Sequence, residues 1–177
     1  LEPYPRDLFV SNQLAYSVAF RAIEHALLSP TLERGMSVIA YSTLLHGVLT
    51  GVYRNADEVP PGRARTRHFS SERENVRHGE PGHEHSLFAL IDEMREVAAE
   101  AELTVREVAM LWVLAREGVA TILAGSRNAA QAQSNAEVAD KSLSTEHVER
   151  LELASAPLKE AMGPNPDMWQ TRSRVSW

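Results

Sequence analysis

The sequence contains no cysteine, few aromatic residues and no long uninterrupted apolar run. Without cysteine the chain can form neither disulfides nor thiolate zinc sites, and nothing marks an oxidising compartment. Its apolar runs are shorter than the roughly 20 residues of a membrane-spanning helix. The N-terminus also lacks the charged and apolar regions of a signal peptide. We therefore expect no membrane association and, by default, a cytoplasmic location.

Positive charge is also scarce, because 24 acidic residues outnumber 18 basic ones and the net charge is −6. A nucleic-acid partner is not expected, since such proteins carry basic patches. With 44% hydrophobic and 24% charged positions, the 177-residue chain has the composition of a soluble globular protein. It begins Leu-Glu-Pro-Tyr without an initiating methionine, so we expect it to be a piece of a longer protein.

Apolar runs of strand length alternate with segments of helical period, which is typical of parallel α/β units. The predicted strands are 8–13, 37–42 and 119–125, and the predicted helices are 18–34, 87–102, 105–118, 128–140 and 144–161. Ser29-Pro30 marks a break or a fresh start within the first helix. Thr104 and Glu107 form a capping box, Asn128 and Ser144 are further N-caps, and Trp112 belongs to the core.

Two stretches lack periodicity: a long loop over 54–86 and an irregular C-terminal tail over 162–177. Arginines in the loop suggest either a lid over a ligand or a solvated surface segment. Its histidines do not predict a metal site, since structural sites take three or four ligands from ordered elements. In the tail, Met168, Trp169 and Trp177 suit either a substrate pocket or an apolar segment packed under the fold.

Polar and glycine residues follow each predicted strand, and the carboxyl ends of parallel strands meet at one rim, where ligands bind. Asn12 and Gln13 end the first strand, and Tyr41 and Ser42 end the second. The third strand leads through 125–127 into a helix whose N-terminal N–H groups attract phosphate. Arg127 would add a charge-assisted hydrogen bond to such an anion.

The segments NQLAYSVAFRAIE, RGMSVIAYSTLLHGVLTGVY and VREVAMLWVLAREGVATILAGSRNAAQAQSNAEV occur in an order that resembles the C-terminal half of the aldo-keto reductases, over about 8–155. That resemblance implies the C-terminal part of a (β/α)8 TIM barrel, strands 6 to 8 with their helices. It also implies an oxidoreductase that uses NADPH, or alternatively NADH, on a small carbonyl or alcohol substrate.

The resemblance also assigns roles to single residues. Gln13 would hydrogen-bond the nicotinamide carboxamide, and the Tyr41 ring would stack on the nicotinamide. Arg127 would favour NADPH over NADH by meeting a ribose 2′-phosphate. The remaining cofactor residues would be Ser42, Leu44 and Gly47 along the pyrophosphate, Gly125 and Ser126 at the adenosine phosphate, and Gln131 and Asn135 at the adenosine.

Departures from the family pattern bear on these roles. Thr43 replaces a common proline, and Gly125 and Ser134 replace a common lysine and glutamate. Gly-Ser-Arg with a following glutamine is the variant typical of the bacterial and channel-subunit-like branches. The family's catalytic tyrosine, lysine, aspartate and histidine belong to the first four strands. This chain is expected to begin after the fifth strand. We therefore assign no catalytic residue, including Tyr4, Tyr16 and Tyr53, and expect the chain alone to be inactive.

Alternatives remain open at this stage. Tyr41 suits the end of a buried strand, 125–127 suits an ordinary turn, and Gln131 and Asn135 suit an exposed helix face. The protein is either a reductase fragment or a non-catalytic NADPH-binding interaction module like the channel beta subunits. An unrelated open α/β domain, such as a flavodoxin-like one, is a third class. Half a barrel leaves sheet edges unpaired, so the missing N-terminal half and self-association are the expected partners.

Overall fold

The computed structural model describes residues 8–172, so Tyr4 and Trp177 lie outside it. Strands and helices alternate as predicted. They are β1 (Ser11–Ala15), α1 (Ile23–Ala26), α2 (Leu28–Glu33), β2 (Ser37–Tyr41), α3 (Glu84–Glu100), α4 (Val105–Leu114), β3 (Val119–Ile122), α5 (Ala129–Ala136) and α6 (Thr145–Met162), with 3-10 helices at Leu45–Thr50, Ala56–Glu58 and Glu137–Asp140.

The three strands form one parallel sheet in the order β1-β2-β3, which confirms the predicted parallel arrangement. Gln13 lies opposite Ile39, and Thr121 lies opposite Ile39 from the other side. Because side chains alternate along a strand, these three residues share one face of the sheet. Val38 and Ala40 point to the other face, where both are fully buried in the core.

The first strand does not cover the predicted range. It begins at Ser11 and runs to Ala15, while Leu8, Phe9 and Val10 precede it and are 54%, 57% and 77% exposed. The strand predicted from the apolar run at 8–10 therefore begins three residues too early. Only the Val10 carbonyl takes part in the ladder, by accepting a hydrogen bond from the Ser37 N–H at 3.0 Å.

The helix predicted over 18–34 is wrong in its first third. Residues 18–22 are buried but not helical, because Ser17 and Phe20 exchange backbone hydrogen bonds across a tight turn. Helix α2 begins at Leu28, so Pro30 stands in its first turn, where proline is tolerated and the predicted fresh start is confirmed. Gly35 follows with a φ of 70°, as a helix-terminating glycine should.

The predicted N-caps are confirmed. Thr104 and Glu107 make the reciprocal bonds of a capping box, and the Asn128 and Ser144 side chains accept from the N–H groups of Gln131 and His147. Three element boundaries in the second half of the chain differ slightly from the predicted ones. Helix α3 starts at Glu84 inside the predicted loop, α4 ends at Leu114, and β3 ends at Ile122.

The 54–86 loop is packed against the tail. The buried Arg67 guanidinium donates to the carbonyls of Met162, Asn165 and Asp167 at 2.7, 3.2 and 3.3 Å. Met168 is fully buried, so this part of the tail is tucked into the fold as one alternative predicted. His68 is also fully buried, with the Thr66 hydroxyl and the Ala19 carbonyl each 3.0 Å away. Within 8–172 no cluster of ligating side chains suited to a metal is found.

Helix α4 carries the core tryptophan, Trp112, which is fully buried as predicted. Two guanidinium groups lie over its ring, with the Arg21 and Arg116 Cζ atoms 5.4 and 5.0 Å from the ring centroid. Arg21 is bonded to Glu24, which also accepts from the Tyr16 hydroxyl at 2.6 Å. Buried charges are stable only when paired in this way, so this network fixes α1 against α4 and α6.

The other face of the sheet has little cover in the described residues. We call it the open sheet face; it consists of Ser11, Gln13, Ile39, Tyr41, Thr121 and Leu123, of which Leu123 is 47% exposed. Strands β1 and β3 are also the edges of the sheet and pair on one side only. Exposed edges and apolar surface favour association with another chain.

We accordingly expect the 177-residue chain to self-associate in solution. Sedimentation velocity over a concentration series should show a weight-average mass that rises above that of the 19.6 kDa monomer. A monodisperse monomer that unfolds in one sharp two-state transition would contradict this prediction.

Candidate functional site

A cleft of about 1170 Å³ lies at the carboxyl ends of β2 and β3. One wall comes from the segment after β2 and the other from the segment after β3 with the start of α5. Of the ten predicted cofactor residues, eight line this cleft: Ser42, Leu44, Gly47, Gly125, Ser126, Arg127, Gln131 and Asn135. Residues that are 78 (Gly47 to Gly125) to 93 (Ser42 to Asn135) positions apart in sequence therefore meet in one site.

Gln13 and Tyr41 do not line the cleft. They lie on the open sheet face, where Gln13 pairs with Ile39 and Tyr41 stands two residues further along β2. Gln13 and Tyr41 are thus diagonal neighbours on one face, within reach of a single planar group. Tyr41 is half-buried rather than enclosed, so it does not end a strand covered on both faces. Their contacts with nicotinamide stay predictions.

The segment after β2 has an unusual backbone. Ser42, Leu45 and His46 have φ angles of 56°, 44° and 55°, and Gly47 follows at 86°. A residue other than glycine in this region costs about 1–3 kcal/mol, and such residues cluster at ligand sites. Burial, and then the charges of Arg65 and Arg63, lower the pKa of His46. His46 is therefore neutral at pH 7.

The 54–86 loop contributes Arg63 to the cleft. Its guanidinium donates to the Tyr53 hydroxyl at 2.9 Å. A side chain at Gly47 would place its Cβ 2.9 Å from Arg63 Nη1, so glycine leaves room for the arginine there. The lid interpretation therefore fits Arg63, whereas Arg67 belongs to the buried contact with the tail.

The turn after β3 is held by its own side chains. Gln131 Oε1 accepts from the Arg127 N–H at 2.9 Å, and Asn128 Oδ1 accepts from the Gln131 N–H at 2.9 Å. Asn135 Nδ2 donates to Ser126 Oγ at 3.0 Å. Gln131 is thus occupied within the turn, and a contact with adenosine would require it to exchange this bond.

Sequence reasoning missed Arg106. It stands in the first turn of α4, yet its guanidinium donates to Asn135 Oδ1 at 2.5 Å and to Ser134 Oγ at 2.7 Å. In the sequence it looks like an ordinary surface position behind a capping residue. No local signal connects it to residues 28 and 29 positions later.

The cleft is positively charged although the chain is acidic. Arg63, Arg106 and Arg127 line it, and no lining residue within 8–172 is a carboxylate. The nearest acid in contact is Glu107, 3.9 Å from Arg106, which is bonded to Lys141 at 2.7 Å. Burial raises the pKa of Glu107, but bonds from Lys141 and Thr104 outweigh this and hold it at about 2. A site with this charge attracts anions such as phosphate groups.

No helix of the described residues has the length and apolar character needed to cross a bilayer.

Comparison with known proteins places these features in a family. A model of the aldo/keto reductase family matches residues 4–156. Among curated proteins, an NADH-specific methylglyoxal reductase of Escherichia coli is 29% identical over 147 residues, covering 79% of this chain and 42% of that protein. An uncharacterized oxidoreductase of Mycobacterium tuberculosis is 33% identical, over 77% of this chain and 39% of that protein.

Solved structures show the same fold. A glycerol dehydrogenase of Gluconobacter oxydans aligns with a TM-score of 0.65 at 22% identity, over 94% of this chain and 46% of that one. An aldo-keto reductase of Bacillus halodurans aligns with a TM-score of 0.57 at 20% identity, over 85% of this chain and 45% of that one.

The chain spans about two fifths of the length of the curated relatives that it matches. The family match covers all three strands and every residue that lines the cleft. The chain therefore belongs to the aldo/keto reductase family.

Proposed function

We propose that this chain is the C-terminal part of a barrel enzyme that reduces small carbonyl compounds, or oxidises the corresponding alcohols, with a nicotinamide dinucleotide. The cleft holds the adenosine phosphate half of the cofactor, and the open sheet face meets its nicotinamide. The observation that carries this proposal is the charge of the cleft: three arginines and no carboxylate among its lining residues, in a chain of net charge −6.

The residues present suit such a cofactor. A cleft of about 1170 Å³ has room for a dinucleotide, and the positive end of α5 opens into it. Ser126 and Arg127 would bind the adenosine phosphate, and Arg63 with the backbone near Gly47 would bind the pyrophosphate. Ser42 and Leu44 would line the path between these two groups.

Gln13 and Tyr41 would orient the nicotinamide ring on the open sheet face. Tyr41 offers an aromatic surface for stacking, and the Gln13 carboxamide offers one donor and one acceptor to the ring's own amide. When bound, the cofactor supplies the hydride. The role of these two side chains is to hold the ring so that one of its faces is presented to the substrate.

Carbonyl reduction also requires a proton donor, which we place outside this chain. Tyr16 does not suit the role, because it is fully buried, and burial and the neighbouring Glu24 carboxylate raise the pKa of its hydroxyl well above that of an ordinary tyrosine. The open sheet face and the two sheet edges are the surfaces that the first strands of a barrel would cover. We therefore expect the 177-residue chain alone to be inactive.

NADPH is the expected cofactor, and NADH remains the alternative. Arg127 is exposed at the cleft, and its guanidinium has no partner among the described residues, so it is available to a 2′-phosphate. One relative is an NADH-specific methylglyoxal reductase, which supports the NADH alternative.

The test has a binding part and an activity part. Isothermal titration of the 177-residue chain should show binding of NADPH, and the absence of binding by either NADPH or NADH would contradict the proposal. Methylglyoxal reduction should appear only when the upstream half of the protein is supplied. If NADPH binds and neither methylglyoxal nor a panel of other small carbonyl compounds is reduced with both halves present, the result favours a non-catalytic NADPH-binding interaction module of the channel beta-subunit kind.

A further inference from the structure

Arg106 ends a chain of hydrogen bonds that leads into the cleft. Its Nη1 lies 2.5 Å from Asn135 Oδ1, and Asn135 Nδ2 lies 3.0 Å from Ser126 Oγ. The same guanidinium also contacts Ser134 Oγ at 2.7 Å. All four residues line the cleft. The start of α4 is thereby joined to the last turn of α5 and to the turn that precedes α5.

The chemistry of these groups fixes the direction of every bond. A guanidinium has donors only, so the Asn135 atom that faces Arg106 must be the carbonyl oxygen. The amide nitrogen then faces Ser126 and donates to its hydroxyl oxygen. Ser126 Oγ is therefore an acceptor in this bond, and its own proton is directed elsewhere. In the described part of the chain no acceptor takes that proton.

We propose that Arg106 is a positioning residue that makes the Ser126 hydroxyl a hydrogen-bond donor to a phosphate monoester on the adenosine ribose. A phosphate dianion has acceptors only, so it binds a hydroxyl whose proton is free better than one whose proton is already used. This inference rests on the proposed cofactor site and adds a residue that acts on it through Asn135.

The surroundings favour an anion at this point. Arg127 follows Ser126 directly, and the N–H groups at the start of α5 open toward the same space. Glu107 is the only acid in contact with Arg106 among the described residues, at 3.9 Å, and Lys141 and Thr104 already bond it. Glu107 therefore competes only weakly with Asn135 for the Arg106 guanidinium.

The experiment compares two ligands that differ by one phosphate group. Adenosine 2′,5′-bisphosphate and adenosine 5′-monophosphate are titrated into the 177-residue chain by calorimetry. Replacing Arg106 with methionine should weaken binding of the bisphosphate about tenfold, as the loss of one hydrogen bond to a charged group does. Binding of the monophosphate should change by less than about twofold.

Two further variants separate an action through Ser126 from other roles. Ser126→Ala should give a similar loss for the bisphosphate, and Arg106→Met should add little in that background, because both changes remove the same interaction. Arg106→Lys should recover part of the affinity, since an ammonium group can still donate to Asn135. Arg54→Met is the charge-matched control, because Arg54 is highly exposed and pairs with Glu58 outside the cleft.

Each outcome is decisive. Full additivity of the Arg106 and Ser126 losses would mean that Arg106 contacts the ligand directly, and the inference would be wrong. An equal loss for both ligands would show a purely structural role and would also overturn it. If the unmodified chain binds neither ligand, both the proposed cofactor site and the inference that rests on it are wrong. If it prefers the bisphosphate and Arg106→Met keeps that preference, the inference alone fails.

Discussion

Replacing Glu24 with alanine is expected to lower the free energy of unfolding by about 3 kcal/mol, because the buried Arg21 loses its nearer carboxylate and keeps Glu152 at 3.1 Å. Glu24 accepts from Arg21 at 2.7 and 2.8 Å and from the Tyr16 hydroxyl at 2.6 Å, and it pairs with Lys159 at 3.0 Å. Arg21 is only 3% exposed, so water cannot replace the lost carboxylate. Urea unfolding followed by circular dichroism, at one fixed protein concentration, measures the change.

The same carboxylate gives stability a dependence on pH. Burial raises the pKa of Glu24, but the bonds from Arg21 and Tyr16 outweigh it and hold the pKa at about 2, below the ordinary 4.5. A folded-state pKa that is depressed means that the contribution is complete above pH 4.5 and is lost as the pH falls toward 2. Glu24→Ala should therefore have a smaller acid sensitivity over this range than the unmodified chain.

A surface carboxylate provides the control for this experiment. Glu58 pairs with Arg54, whose side chain is 86% exposed, and exposed pairs of this kind contribute little. Glu58→Ala should leave the urea midpoint unchanged. If Glu24→Ala also leaves it unchanged, the network around Trp112 does not stabilise the fold.

Replacing Arg127 with alanine is expected to weaken NADPH binding by about 10- to 100-fold, which corresponds to the loss of a hydrogen bond to a charged group. Its guanidinium stands at the cleft, next to Ser126 and the N-terminus of α5. NADH lacks the 2′-phosphate, so its affinity should change by no more than about threefold. Titration of both cofactors into the 177-residue chain measures the two affinities.

Arg54→Ala removes the same charge far from the cleft and should alter neither cofactor affinity. Unchanged NADPH affinity in Arg127→Ala would show that Arg127 does not contact the 2′-phosphate. Equal losses for NADPH and NADH would instead place Arg127 at a group that both cofactors share, such as the pyrophosphate.

Much of the local structure could be predicted because its causes lie within a few residues. Thr104 and Glu107 specify the start of α4 by their spacing alone, and Gly35 ends α2 with a positive φ. The parallel order of the strands follows from their alternation with helices. Membership of the aldo/keto reductase family also excludes the flavodoxin-like alternative.

The errors have a different origin. Leu8 to Val10 looks like a strand because it is apolar, yet only pairing with another strand decides where β1 begins. Val18 to Ala22 looks like part of a helix because it is mostly apolar and precedes a helical pattern. In the structure a turn between Ser17 and Phe20 sets its backbone instead. Over Val18 to Ala22 the apolar pattern predicted burial correctly and the backbone conformation wrongly, whereas Leu8 to Val10 are exposed and not part of the strand.

The candidate site likewise contains residues that the sequence could place and residues that it could not. Residues that follow strands, such as Ser42 and Gly125, could be placed at one rim because strand ends define it. Arg63 and Arg106 reach the cleft from a long loop and from the start of a helix, so only the folded chain brings them there. These two supply the positive charge of the cleft together with Arg127, and the net negative charge of the chain does not reveal it.

The buried Arg67 also constrains the order of events during synthesis. Its guanidinium bonds to carbonyls 95, 98 and 100 residues further along the chain. At a translation rate of about 5–20 residues per second, these acceptors are made about 5–20 seconds after the arginine. Until then Arg67 lacks these acceptors, although His68 of the same loop can already reach the Ala19 carbonyl. The contact between the loop and the tail is therefore among the last to form in this fold.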